Sequence, residues 1–301
     1  MSASMDASAD AALAWLTEQD APESAIAAHE FGGARSKEDT RRWVRRILDQ
    51  EREGAWSDDL LDTAGALITL HELRHAAKLK EQDPAIGRAL DWMRSRQGRP
   101  GAWTDGCDPD RHRQGLCHHF AGGFFSAGSP YAQMDPVVLP SGAGVEGDGQ
   151  VRFVASAVAL RCTLFWRGLG TDAGLHLGVL RRVVGRWSAA RPPGLTTTGL
   201  LCAVRALVQS PDDRDREAAE EGLRVVAGTQ RGDGSWLDVD PFHALAVFGD
   251  AAAVGIGGKR AADALDHGAW LLSASQREDG SWGPEHGARR ALIALRTLRR
   301  S

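Results

Sequence analysis

Four heptapeptides in this 301-residue chain share one frame: Gln, three residues, Gly, a small residue, Trp. They are QEREGAW from Gln50, QGRPGAW from Gln97, QRGDGSW from Gln230 and QREDGSW from Gln276. Their tryptophans, Trp56, Trp103, Trp236 and Trp282, are spaced by 47, 133 and 46 residues. A period of this size marks a repeat architecture, in which each unit buries its apolar face only by stacking on its neighbours. The long gap is close to three short ones, so two degenerate copies are expected inside it. One is RRVVGRW, with Trp187 in register and Arg181 where Gln would be; the other is PSGAGVEGDGQVRF, around Gly142–Gly144. That makes six units of roughly 42–49 residues.

Each unit reads as helix, loop, helix. Amphipathic stretches such as IGRALDWMRSRQ and DREAAEEGLRVVAGTQ precede the loop, and more apolar ones such as VRFVASAVALRCTLFW and FHALAVFGDAAAV follow it. Helix-period patterning without alternating β-rich runs makes the chain all-α. An outer ring of amphipathic helices around an inner ring of apolar ones is expected: a single (α/α)6 toroid over residues 39–301, preceded by an N-terminal helical extension over residues 1–38. The loop Gly allows a sharp turn. The Trp is expected to pack across that turn and the Gln to satisfy free backbone groups, so that the loop staples neighbouring units.

The repeated Gln-x-x-x-Gly-x-Trp resembles the QW motif of squalene–hopene cyclases. In the second unit the resemblance extends to Arg88-Ala89 and Trp92-Met93 ahead of Gln97, Gly101 and Trp103. The chain is similar, over about residues 40–298, to the terpenoid cyclase and protein prenyltransferase superfamily. That resemblance implies an (α/α)6 barrel around an apolar pocket and a hydrophobic, isoprenoid-type small-molecule substrate. Known cyclases carry two such barrels; this length suits one, as in prenyltransferase β subunits, so a partner chain is possible.

Inner-helix starts are expected to ring the mouth of the pocket, and the segments from 105–125 and 237–248 carry the most chemistry there. Asp238-Val239-Asp240 fits three positions of the Asp-x-Asp-Asp motif of class II cyclases, with Pro241 in place of the last Asp. On that resemblance Asp240 is the proton donor, with Asp238 and His243 tuning it. Two close carboxylates and burial push a pKa up, as acid duty requires. The same letters also read as a helix cap, Asp240 at N-cap and Pro241 at N1. In GLCHHFAGG, Cys117, His118 and His119 stand together, and thiolate with imidazole suits zinc. The DPFHALAV segment resembles the His-bearing helix start of the zinc-dependent prenyltransferases, which would make His243 a fourth candidate ligand. Zinc is therefore possible, although acid-initiated chemistry requires no cofactor. Phe120, Phe124, Phe125 and Phe242 are candidate substrate-facing aromatics, and GSPYAQMDPVVLPSG over 128–142 reads as a loop that could lid the mouth.

Composition narrows the remaining choices. A net charge of −4 and pI near 6.2 argue against nucleic acid as the main partner. No run of 18 apolar residues offers a membrane span. Four cysteines in such a length are too sparse for a disulfide scaffold, and the acidic N-terminus is not read as a signal peptide, so a cytoplasmic setting is expected. Three classes of function remain: an acid-initiated terpenoid cyclase or isomerase, a zinc-dependent prenyl- or thiol-transferring enzyme, and a non-catalytic toroid that binds a lipid or a protein.

Overall fold

The structure is a computed structural model that describes residues 2–32, 37–57, 59–80, 83–95, 135–166, 173–189 and 195–300. Those residues form twelve α-helices and one short β-hairpin, so the chain is all-α as its periodicity predicts. In order the helices are α1 (Ser2–Glu18), α2 (Pro22–Phe31), α3 (Lys37–Leu48), α4 (Leu60–Ala77), α5 (Pro84–Ser95), α6 (Asp148–Phe165), α7 (Ala173–Ala189), α8 (Thr197–Leu207), α9 (Asp213–Ala227), α10 (Pro241–Ala253), α11 (Gly258–Ser275) and α12 (Gly287–Leu298). The antiparallel pair β1 (Val137–Val138) and β2 (Gly144–Val145) lies just before α6.

Helix starts follow local capping chemistry. Asp59 accepts from the backbone N–H groups of Leu61 and Asp62 at the head of α4, and Thr196 accepts from Gly199 at the head of α8. Asp212 caps α9, while α2 and α10 place Pro22 and Pro241 in the first turn, where the missing N–H costs nothing. Odd and even helices then divide the work. Every residue of α8 except Arg205 is buried, whereas α9 buries only one stripe, including Ala219, Leu223 and Val226. Contacts among the even helices run α2–α4–α6–α8–α10–α12 and return to α2. Each odd helix lies against its even partner or neighbour, and α7, α9, α11 and α1 pack in succession on the outside.

The repeated loop joins these layers through backbone. Gly54, Gly234 and Gly280 have φ of +91°, +83° and +87°, the left-handed region that favours glycine. Each also approaches the next odd helix too closely for a side chain. A Cβ on Gly54 would lie 2.7 Å from Arg88 O of α5, one on Gly234 2.2 Å from His267 O of α11, and one on Gly280 2.5 Å from Ala11 O of α1. The glutamines bridge in the same direction. Gln230 Nε2 donates to Gly234 O and Ala264 O, and Gln276 Nε2 donates to Gly280 O and Ser8 O, all at 3.0 Å. Each tryptophan ring instead turns back on its own hairpin. Nε1 of Trp56, Trp236 and Trp282 donates to the carbonyls of Ile47, Val226 and Leu272.

Residues 2–31 supply α1 and α2: α1 receives the last loop, and α2 contacts α12 and α4. Two expectations change in detail. The degenerate copy RRVVGRW is no loop but lies within α7, because Gly185 there has no stop signal beside it and a lone glycine only weakens a helix. The copy around Gly142 is the turn of the β-hairpin, with Gly142 at φ +90°. The second repeat's Gln97, Gly101 and Trp103 lie outside the described residues. No helix among the described residues is long and apolar enough to cross a membrane.

Gly280→Ala combines a left-handed φ with a backbone clash on α1 and should cost at least about 2 kcal/mol. Gly232→Ala, in the neighbouring copy of the loop, meets nothing within 4 Å and should stay within about 0.5 kcal/mol of wild type. Urea midpoints of the two variants check the contrast; equal midpoints would mean that the loop does not anchor α1.

Candidate functional site

Inside the even helices is a cavity of about 640 Å³. Every helical residue on its wall comes from an even helix; Val138–Ser141 of the hairpin and the post-helical Gln209, Val254 and Arg300 complete it. One part of the wall is apolar, with Leu61, Ala66 and Ile68 of α4, Val158 and Phe165 of α6, Leu245 and Ala246 of α10 and Ile293 of α12. Another part carries the acids Glu23, Glu30, Glu72 and Asp250 and the arginines Arg161, Arg205, Arg289, Arg296 and Arg300, which differs from the apolar pocket expected from the resemblance.

The charges form two clusters. Glu72 of α4 accepts from Arg289 Nη1 and Arg296 Nη1 of α12, both at 2.8 Å, and those arginines also reach Glu23 and Glu30 of α2. Burial alone would raise the Glu72 carboxyl, but the two guanidinium groups hold it far below the ordinary carboxylate range. The second cluster centres on Asp250 of α10. Its Oδ2 accepts from Arg161 Nη2 of α6 at 2.9 Å and from Arg205 Nε of α8 at 2.7 Å. Burial and the neighbouring Arg205 push Arg161 down to about 10, still protonated at neutral pH. Each cluster thus links three consecutive even helices, and together they involve all six.

A third polar chain lies beside the second cluster. His243, in the first turn of α10, faces Ser141 Oγ with Nδ1 at 3.1 Å and Cys202 Sγ with Nε2 at 3.7 Å. Burial, then Arg205, pushes His243 down to about 3, and burial pushes the Cys202 thiol up to about 12. The pair is a neutral imidazole and a thiol, so charge separation between them is unfavourable in the resting protein. His71 is also neutral: burial and Arg74 take it down to about 4, and its ring stacks on Phe165 at 4.2 Å.

The residues expected to act are placed as follows. Asp240 caps α10, accepting from His243 N at 3.1 Å, and pairs through Oδ2 with Arg290 Nη2 at 2.9 Å. It is not on the cavity wall. Asp238 is exposed, while Phe242 packs edge-on against Trp282 under the Arg290 guanidinium. Of that trio His243 alone lines the cavity. Cys117, His118, His119, Phe120, Phe124 and Phe125 lie outside the described residues. Among the described residues no group of three or more His, Cys, Asp or Glu side chains is placed to hold a metal ion. The loop expected to lid the mouth contributes Val138–Ser141 to the wall, and Arg290 Nε donates to Ser141 O at 3.2 Å.

Sequence reasoning overlooked Arg161, Arg205, Asp250 and Glu72. For three of them a signal existed: Arg161, Arg205 and Asp250 each interrupt an apolar run, in ASAVALRCTLF, GLLCAVRALV and ALAVFGDAAAV, whereas Glu72 has Arg74 two residues away and gives no such signal. A charge in an apolar run must face a partner or a cavity.

No family model matches the chain, and no curated protein does. Among solved structures, the crystal structure of a protein from Actinoplanes is similar to it, with a TM-score of 0.55 and 15% identity over 96% of this chain and 88% of the other. Likeness at that identity shows a shared fold alone.

The pKa of His243 near 3, against an ordinary value of 6.5, fixes the sign of a pH effect. Between those values the unfolded chain takes up a proton that the folded protein refuses, so stability falls as pH falls below 6.5, by up to about 1.4 kcal/mol per unit for this one group. His243→Gln should therefore lose roughly 1–2 kcal/mol less than wild type between pH 7 and pH 5. Urea titrations at the two pH values measure it; parallel losses would place His243 in a solvated site.

Proposed function

We propose that the even helices are the inner ring of an (α/α)6 toroid and that this ring is a binding chamber for a small amphiphilic molecule. The observation that supports the reading is the divided wall: an apolar surface facing buried charges around a volume suited to a small ligand. A purely structural core would fill such a space with side chains, since interiors are close-packed and cavities cost stability. An isoprenoid with a polar end is one molecule of this description. Binding has more support than acid-initiated cyclisation, because Asp240 is ion-paired, caps a helix and stands off the wall. Zinc-dependent transfer through Cys117, His118 and His119 draws no support from the described residues.

Gly65 of α4 supplies the test. It lines the cavity, and a Cβ there meets nothing within 4 Å. Gly65→Leu should leave stability unchanged or raise it by up to about 1 kcal/mol through helix propensity. It should also weaken binding of a ten-carbon amphiphile at least tenfold in a calorimetric titration. Undiminished binding to a stable Gly65→Leu protein would remove the chamber reading.

A further inference from the structure

We propose that Arg161, Arg205 and Arg300 form the subsite for the ligand's anionic head, a carboxylate or a phosphate; this rests on the chamber reading. The two charge clusters differ in a way that decides where an anion would go. Around Glu72, three glutamates surround two arginines, so no cation there lacks an acid. Around Asp250 the balance is reversed. Arg161 and Arg205 share one carboxylate, and both use the same oxygen, Oδ2. Arg300 reaches the same turn of α10, donating through Nη1 to Gly249 O at 2.6 Å, and it has no ion pair to an acid among the described residues. All three arginines line the cavity.

Arg161 carries the argument furthest. Its side chain is 9% exposed, yet its Nε has no hydrogen-bond partner; Arg289 Nε in the first cluster also lacks one but has Glu23 Oε1 3.1 Å away, whereas no carboxylate is paired with Arg161 Nε. Buried donors are nearly always satisfied, and an unmet one on a charged group is costly. The face of the guanidinium is covered by Phe165, 4.8 Å from Cζ to the ring centroid, so the remaining donors are directed along its edge. A planar fork held this way by an aromatic face and one carboxylate is preorganised for a second oxyanion. Phe165, Val158 and Ala246 of the cavity wall supply apolar surface for the ligand's tail.

The structural alternative is that Arg161 and Arg205 only tie α6, α8 and α10 together through Asp250. Calorimetric titration with decanoate, decyl phosphate, decanol and inorganic phosphate separates the two. The subsite predicts that decanoate or decyl phosphate binds at least tenfold more tightly than decanol, and the tighter of the two identifies the head. Arg161→Gln and the exposed Arg300→Gln should lower anion affinity severalfold or more while leaving decanol affinity unchanged. Arg300→Gln keeps the test decisive if Arg161→Gln does not fold. Decanol binding as tightly as either anion, with Arg300→Gln neutral for all four probes, would overturn the subsite and leave the chamber standing. Failure of all four probes to bind wild type would overturn the chamber reading and the subsite with it. Tight binding of inorganic phosphate alone, lost in Arg300→Gln, would uphold an anion site and remove the amphiphile.

Discussion

The loop glycines sit against carbonyl oxygens of the next odd helix at distances that only a hydrogen in place of a side chain permits. That contact sets how far apart successive hairpins stand and how far each turns relative to the last. Gln230 and Gln276 extend it by giving one side-chain amide to two carbonyls, one in the loop and one in the neighbouring helix. Because the receiving groups are backbone, the contact makes few demands on the side chains of the helix that receives it. This explains why the loops repeat almost letter for letter while α5, α11 and α1 share little sequence. It also explains why α1 can serve as the last receiver without carrying any recognisable motif of its own.

Because the six even helices contact one another in succession, the polar residues on the faces they share must find partners among them. The two clusters satisfy that demand at a distance in sequence: Glu72 lies 217 and 224 residues from the arginines it accepts from, and Asp250 lies 89 and 45 residues from its own. Losing one member strands its partners in a low-dielectric site, which is far more damaging than the pair is stabilising. The clusters therefore act as registration devices between consecutive even helices, and they do so only because the loops have already brought those helices together.

The all-α class, the hairpin unit and the stapling role of the loop were legible because they depend on local period and on residues with special backbone behaviour. The order of contacts between the helices was less legible. RRVVGRW matched the spacing of the motif but not its chemistry: without the Gln and a positive-φ glycine it stays within α7. The short α1–α2 connection, Gln19–Ala21 ahead of Pro22, has no Gly-x-Trp at all, so the first hairpin left no trace in the repeat count. The charged wall was hidden for a different reason. Pairing between distant helices has no sequence signature beyond a solitary charge, and such a charge reads at first as a blemish in an apolar run.

The segment DVDPFHA shows how the same residues support two readings until their partners are known. A carboxylate meant to donate a proton must be kept neutral, which requires burial away from cations and from helix N-termini. Asp240 instead accepts from the N–H of His243 at a helix start and pairs with the guanidinium of Arg290. Arg290 is in turn fixed by Ser141 O, and Ser141 meets His243, so the first turns of α10 and α12 are latched to the β1–β2 hairpin. The helix starts are thereby occupied in holding that hairpin against the cavity. Further along the even helices, Arg161 has a buried Nε without a hydrogen-bond partner, and beyond the end of α12 Arg300 has no ion pair to an acid among the described residues, so a ligand has something to gain there.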